Sequence, residues 1–337
     1  MKKITNYEYQ SAIYLLSFPL FMGAGLSKLI AEAQSDIWLS IIIGTIFGLI
    51  INLILTKLPN KCNKICKLVS TTGLLFFGIL ILPKLVSSIY LSNTPSFLII
   101  IPLTSLAIFS ATKGIETFYK TSGILLIIFM IFFIFAAFTL VPTIKIDFFL
   151  PVATSSFKNI IYSAIHYALI STLPIILIPN FKVHYKARTY ILSSITVLIM
   201  AVATLGNLGP EIATLYRYPE YMVFKKISIL KFIDNTENIL FSIWIIVSCE
   251  INHISALNII KEIKTKGLII ISIIIYIVCS KFIIDNHKAL DFLIYNYQYV
   301  LLGILTTFII GKLISKKEPL PSDNSSRSSW YSLFCML

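Results

Sequence analysis

A chain of 337 residues that is 57% hydrophobic and 13% charged, with a mean hydropathy of +0.88, carries more apolar surface than a soluble domain of this size buries. Its net charge of +13 comes without a basic face interleaved with aromatic residues, which argues against a nucleic-acid partner. The excess reads instead as the cytoplasmic loops of a polytopic, all-α integral membrane protein with no sizeable soluble domain. Ten spans are expected: Tyr9–Ala33, Ile37–Leu58, Leu68–Leu91, Phe97–Ala111, Phe118–Val141, Ile160–Asn180, Tyr190–Leu208, Ile239–Leu257, Leu268–Ile284 and Phe292–Ile314.

The first span contains Phe18-Pro19-Leu20-Phe21-Met22-Gly23-Ala24-Gly25-Leu26-Ser27. Proline removes a backbone donor and two nearby glycines weaken the helix further, so the span is expected to break there. Broken backbone at membrane depth is tolerated only inside protein or along a cavity. The alternative is a bent helix whose glycines allow close packing. The run follows Met1-Lys2-Lys3 as a signal peptide would, and Ala31-Glu32-Ala33 mimics a cleavage site. Its length, Pro19, the glycines and Lys28 argue that it is retained. Lys28 and Glu32, four apart, read as a simple ion pair near the outer surface.

Cys62 and Cys66 lie in a short basic loop at a spacing foreign to zinc sites, and free thiols are expected there. In the third span Lys84 follows Pro83 and either snorkels to the outer interface or forms a buried ion pair, with Glu250 of the eighth span as the candidate partner. In the sixth span His166 and Tyr167 precede Ser171-Thr172-Leu173-Pro174, and Pro174 breaks the helix at mid-membrane. His166 reads as a hydrogen bonder between helices or as a proton relay. Two segments are not spans. Residues 218–233 space Val223, Phe224, Ile227, Leu230 and Ile233 as one apolar helical face, with Glu220 and Lys225 elsewhere, which predicts an amphipathic helix in the interface. The tail, residues 318–337, is Pro- and Ser-rich up to Ser329 and is expected to be disordered.

With the N-terminus placed in the cytoplasm, eighteen of the 28 lysines and arginines fall in inside segments, nine outside, and Lys84 within a span. Both termini are therefore expected in the cytoplasm. The permease-like domain, residues 1–317, divides at about residue 150 into two five-span halves that enter from opposite sides, each led by a broken helix. Interrupted segments at matching positions of an inverted repeat point to a transporter-type ligand site. The candidate ligand-binding residues are Gly23, Ala24, Gly25 and Leu26 at the first break and His166, Tyr167, Ser171 and Thr172 at the second. Amides of the first break would hold a carboxylate, and the hydroxyls of the second would orient an amine. No nucleophile elbow, P-loop, HExxH or dinucleotide fingerprint is present, so no enzyme, metal or cofactor is expected.

Several stretches in the right order resemble the spore germination receptor B-subunit family. They are Ile4-Thr5-Asn6-Tyr7-Glu8-Tyr9-Gln10, Gly23-Ala24-Gly25, Ala31-Glu32-Ala33-Gln34-Ser35-Asp36-Ile37-Trp38-Leu39-Ser40, Lys113-Gly114-Ile115-Glu116-Thr117, Asp147-Phe148-Phe149-Leu150-Pro151-Val152, the run from Leu215 to Pro219, and Phe232-Ile233-Asp234-Asn235-Thr236-Glu237 leading to Trp244. Asn235 stands where the family carries an arginine. The resemblance covers about the first 260 residues. It implies a ten-helix permease of the amino acid–polyamine–organocation superfamily with a LeuT-type 5+5 inverted repeat and broken first and sixth helices. It also implies a subunit that binds an amino-acid-like germinant in the spore inner membrane beside A and C receptor subunits. A secondary amino-acid or polyamine transporter and a membrane scaffold with a degenerate site remain the other readings.

Overall fold

The computed structural model describes residues 4–18, 25–59, 62–91, 93–152, 154–178, 183–226, 236–280, 292–293 and 296–315. The first helix starts at a capping box. Glu8 N–H donates to Thr5 Oγ1 at 3.2 Å, and Thr5 N–H donates back to Glu8 Oε2 at 2.8 Å. Helix α1 runs Asn6–Ser17 and α2 Leu26–Ala33, and these are the two parts of the first expected span. A 3-10 turn, Gln34–Asp36, leads into α3 (Ile37–Lys57). Then follow α4 (Lys64–Ile89), α5 (Ser96–Thr112) and α6 (Ile115–Leu140). The second half opens with α7 (Phe157–Thr172), a 3-10 turn over Pro174–Leu177 and α8 (Val183–Leu208). Two short helices, α9 (Pro210–Leu215) and α10 (Pro219–Phe224), precede α11 (Thr236–Val278), whose backbone turns at Lys264 with φ 63°, and α12 (Tyr297–Ile314) closes the described chain.

The ten expected spans all fall on these helices, with the eighth and ninth on the two arms of α11. Among the described residues, seven stretches are long and apolar enough to cross a membrane, and the fourth span is present as the shorter apolar helix Leu98–Thr112. The polarity is that of a membrane protein. On α6, Ile124, Ile127, Ile131 and Phe138 face outward, Phe138 with 76% of its surface exposed, while Ser122, His166, Ser171, Thr172, Ser193 and Asn252 are buried. Lipid accepts the first set, and only protein partners satisfy the second.

Several contacts between the halves come in exchangeable pairs. The second span meets the sixth where Gly44 of α3 lies against Ala164 of α7, and the seventh meets the first where Ser193 Oγ donates to the Tyr14 carbonyl at 3.2 Å. The fifth meets the eighth through Ser122 Oγ and Glu250 Oε2 at 3.4 Å, and the tenth meets the third through the Ile304 carbonyl and Ser70 Oγ at 3.3 Å. The third and eighth meet each other where Asn252 lies over Gly78. Swapping halves carries each contact onto its counterpart, the pattern an inverted repeat requires.

Two expectations change. Pro174 lies in the last turn of the described stretch Phe157–Leu177, so the second break falls near the C-terminal end of that stretch and not at its middle. Helix α10 is not a surface helix, because Glu220, Val223 and Phe224 are all buried and α10 packs on α8 and α11. The rest of that expected amphipathic helix, residues 227–233, lies outside the described residues, as do Gly23, Ala24 and the tail. Cys62 and Cys66 are unbridged, and Cys62 Sγ donates weakly to the Phe308 carbonyl at 3.8 Å. Burial, with help from Cys66, pushes the Cys62 thiol up to about 11.

Candidate functional site

Around the first break the chain is tightly held on both sides. Ser17 Oγ donates to the carbonyls of Ile13 and Tyr14 at 2.9 and 3.0 Å, tying off the end of α1. Phe18 is buried against Phe129, with ring centroids 4.8 Å apart. Gly25 then precedes α2 and gives its first N–H groups no side-chain cap, and Leu26 is buried. The end of α1 and the Pro174–Leu177 turn are in contact, and α2 packs along α7. The two breaks therefore belong to one region of the protein.

A charged cluster stands one to two turns beyond the first break. His166 Nδ1 of α7 lies 2.7 Å from Glu32 Oε2 of α2, with His166 fully enclosed and Glu32 about one-quarter exposed. Lys28, one turn earlier on α2, donates to Gln298 Oε1 of α12 and lies 4.8 Å from the centre of the Tyr297 ring. Tyr297 also closes on His166 at 6.2 Å, and Tyr162 flanks the imidazole from the other side at the same distance. Sequence spacing makes Lys28 and Glu32 partners of each other. The fold keeps Glu32 close enough to act on the Lys28 ammonium and adds a partner from a different helix to each, so α2, α7 and α12 converge on one cation, one carboxyl and one imidazole. Of the two readings of His166, the hydrogen bond between helices is the geometry present.

A second, uncharged cluster lies deeper, between α1, α7 and α8. Ser171 Oγ donates to the Tyr167 carbonyl at 2.7 Å and shares a 2.8 Å hydrogen bond with Tyr190 Oη. Thr172 Oγ1 donates to the Ala168 carbonyl at 2.6 Å. Tyr14 Oη bonds Thr196 Oγ1, and Tyr167 is wholly buried against α3. Ser171 and Thr172 thus use their hydroxyl protons within the fold, which makes them supports of the broken end of α7.

Tyr14, Tyr190, Tyr297 and Gln298 carry no local signal and were not legible as site residues. Lys28 and Glu32 did carry one, since ionisable groups inside a span point to function by default. Glu250, offered as a partner of Lys84, is instead engaged by Ser122 at 3.4 Å and lies 3.7 Å from His253 Nδ1. Lys84 is half-buried on α4.

Apolar-walled helices around enclosed polar clusters, with two broken segments brought together, define a helical integral membrane protein of permease type. The chain belongs to the spore permease family of spore germination proteins, whose pattern it matches over residues 72–289. It is also 25% identical over 170 residues to "Putative spore germination protein YfkT" of Bacillus subtilis (strain 168), a match covering 48% of this chain and 46% of that protein. It is accordingly a germination-related membrane protein. The matched region contains His166, Tyr167, Ser171 and Thr172 but begins beyond the first break.

Proposed function

We propose that this chain is the membrane subunit of a nutrient-germinant receptor in the spore inner membrane, with both termini cytoplasmic and with A and C receptor subunits as partners. It binds an amino-acid-like germinant, without chemical turnover, where α2, α7 and α12 converge. The observation that supports this most is the gathering of Lys28, Glu32 and His166 beside the first break in a chain of a spore germination family. A zwitterion matches that set. Its carboxylate replaces the neutral Gln298 acceptor on Lys28 with a charged one and takes the uncapped N–H groups of α2, and its ammonium pairs with Glu32. Charge-assisted bonds of this kind are worth about 1.5–3 kcal/mol each.

The test is a thermal-shift screen of amino acids and nucleosides on the purified chain in nanodiscs. At least one compound should stabilise it. Lys28→Met and Glu32→Gln should each weaken that ligand by about tenfold or more, which is 1.4 kcal/mol. A ligand that both folded variants bind like the parent places the site elsewhere. Uptake of the ligand by proteoliposomes would replace sensing with secondary transport.

A further inference from the structure

A cavity of about 410 Å³ lies between α5, α6 and the first arm of α11, and none of the residues around the two breaks lines it. Five residues of α11 line it, Ile246, Cys249, Glu250, Asn252 and His253. Leu103 and Leu106 from α5 and Ile124 and Leu125 from α6 make up an apolar stretch of the opposite walls. Its size is within the roughly 300–1,000 Å³ typical of small-molecule sites.

The polar part of the lining sets buried Glu250 and His253 of α11 beside the hydroxyls of Ser110, Thr117 and Thr121 and beside Lys113, whose ammonium is already engaged over the Phe109 ring at 4.7 Å. Glu250 and His253 are 5% and 4% exposed. Glu250 Oε2 receives the Ser122 hydroxyl at 3.4 Å and lies 3.7 Å from His253 Nδ1. Nδ1 is the ring nitrogen nearer the carboxyl, which leaves Nε2 as the one open to a ligand. Among the described residues Nε2 has no hydrogen-bond partner. Phe118, edge-on to His253 at 5.3 Å, fixes the ring. Buried polar atoms without partners are costly, and a buried carboxyl beside them more so. The group that relieves this arrangement is a cation with several N–H donors.

We propose that this cavity binds a primary ammonium group on a short aliphatic body. The ammonium docks on Glu250 and His253, and the aliphatic part lies along Leu103, Leu106, Ile124 and Leu125. An inorganic cation would leave these walls without a partner. The site does not depend on the germinant reading above, and its variants differ from those that test that reading.

The test is binding of n-pentylamine to the full chain in phosphatidylcholine nanodiscs, by calorimetric titration, against 1-pentanol and pentanoate. Pentylamine should bind at least about tenfold tighter than pentanol. Glu250→Gln should abolish that advantage, Glu250→Asp should keep part of it, and pentanoate should not bind. Should Glu250→Gln fail to fold, Ile124→Trp fills the cavity from a wall that is 62% exposed and should block pentylamine equally. Equal affinity for amine and alcohol, or amine binding that survives a folded Glu250→Gln and Ile124→Trp, overturns the proposal. Repeating the titration with phosphatidylethanolamine in the disc separates two sources of the same chemistry. Lost pentylamine binding assigns the ammonium to the lipid headgroup, and unchanged binding assigns it to a soluble amine.

Discussion

Gly44 shows how little room the central contact leaves. A Cβ there would lie 2.5 Å from the Ala164 carbonyl oxygen and 2.9 Å from the Tyr167 ring. The sequence suggests a neutral position, since Gly44 sits in an unbroken helix, but a backbone oxygen cannot move aside as a flexible side chain can. Gly44→Val should therefore cost at least about 1–3 kcal/mol by overpacking and lower the melting temperature in detergent by several degrees. Gly303, with nothing within 4 Å of an added Cβ, is the proper control, and Gly303→Ala should melt at or slightly above the parent. The Glu32–His166 contact is testable at the same scale. His166→Ala strands a partly enclosed carboxyl, and Glu32→Gln keeps an acceptor. A double-mutant cycle on denaturation should return a coupling of about 1–3 kcal/mol, and purely additive effects would show that the two side chains do not interact.

Among the elements, α10 carries the clearest departure from what periodicity implies. Spacing identifies which residues share a helical face, but it does not reveal what packs on the other face. Glu220 therefore reads as solvated when it is 1% exposed, with its Oε2 lacking a hydrogen-bond partner. Burial pushes its carboxyl up to about 8 from the ordinary 4.5. The native state then holds a proton that the unfolded chain releases near pH 4.5. The stability from the neutral carboxyl is complete below that pH and is lost as pH rises towards about 8. Melting temperature should fall across this window in the parent, and Glu220→Gln should flatten the profile. A parent profile identical to that of Glu220→Gln would mean the carboxyl is solvated. The corner between α2 and α3 is the opposite case, a family-like stretch with a plain structural role. Gln34 turns the chain at φ 45°, and buried Asp36 accepts the Ser155 N–H at 2.9 Å and the Thr154 hydroxyl at 3.5 Å, tying the corner to the start of the second half. Asp36→Ala should destabilise the protein by about 1–3 kcal/mol, read from the same melts.

Over the whole molecule, what the sequence made legible are properties of single segments. Each apolar run became a helix because lipid leaves the backbone no other partner than itself, and this holds whatever the neighbours are. Partner choice is a property of pairs. Glu32 finds His166 across 134 residues, and no local spacing encodes that. The place of the second break follows the same rule, since Pro174 fixes where α7 ends but the course of the chain beyond it depends on how the Pro174–Leu177 turn packs. Charge, by contrast, bears on the molecule as a whole through the bias of lysine and arginine toward one side. The expected topology has ten spans with both ends inside, which places the loop before α4 in the cytoplasm and α10 outside. Lys64 and Lys225 are exposed and stand on these opposite sides, whereas Glu220 is too buried to report. On a background with all five cysteines replaced, Lys225→Cys should react with an impermeant maleimide in intact cells, and Lys64→Cys should react only after permeabilisation. The reverse order would invert the molecule, and labelling of both from outside would remove an odd number of spans between them.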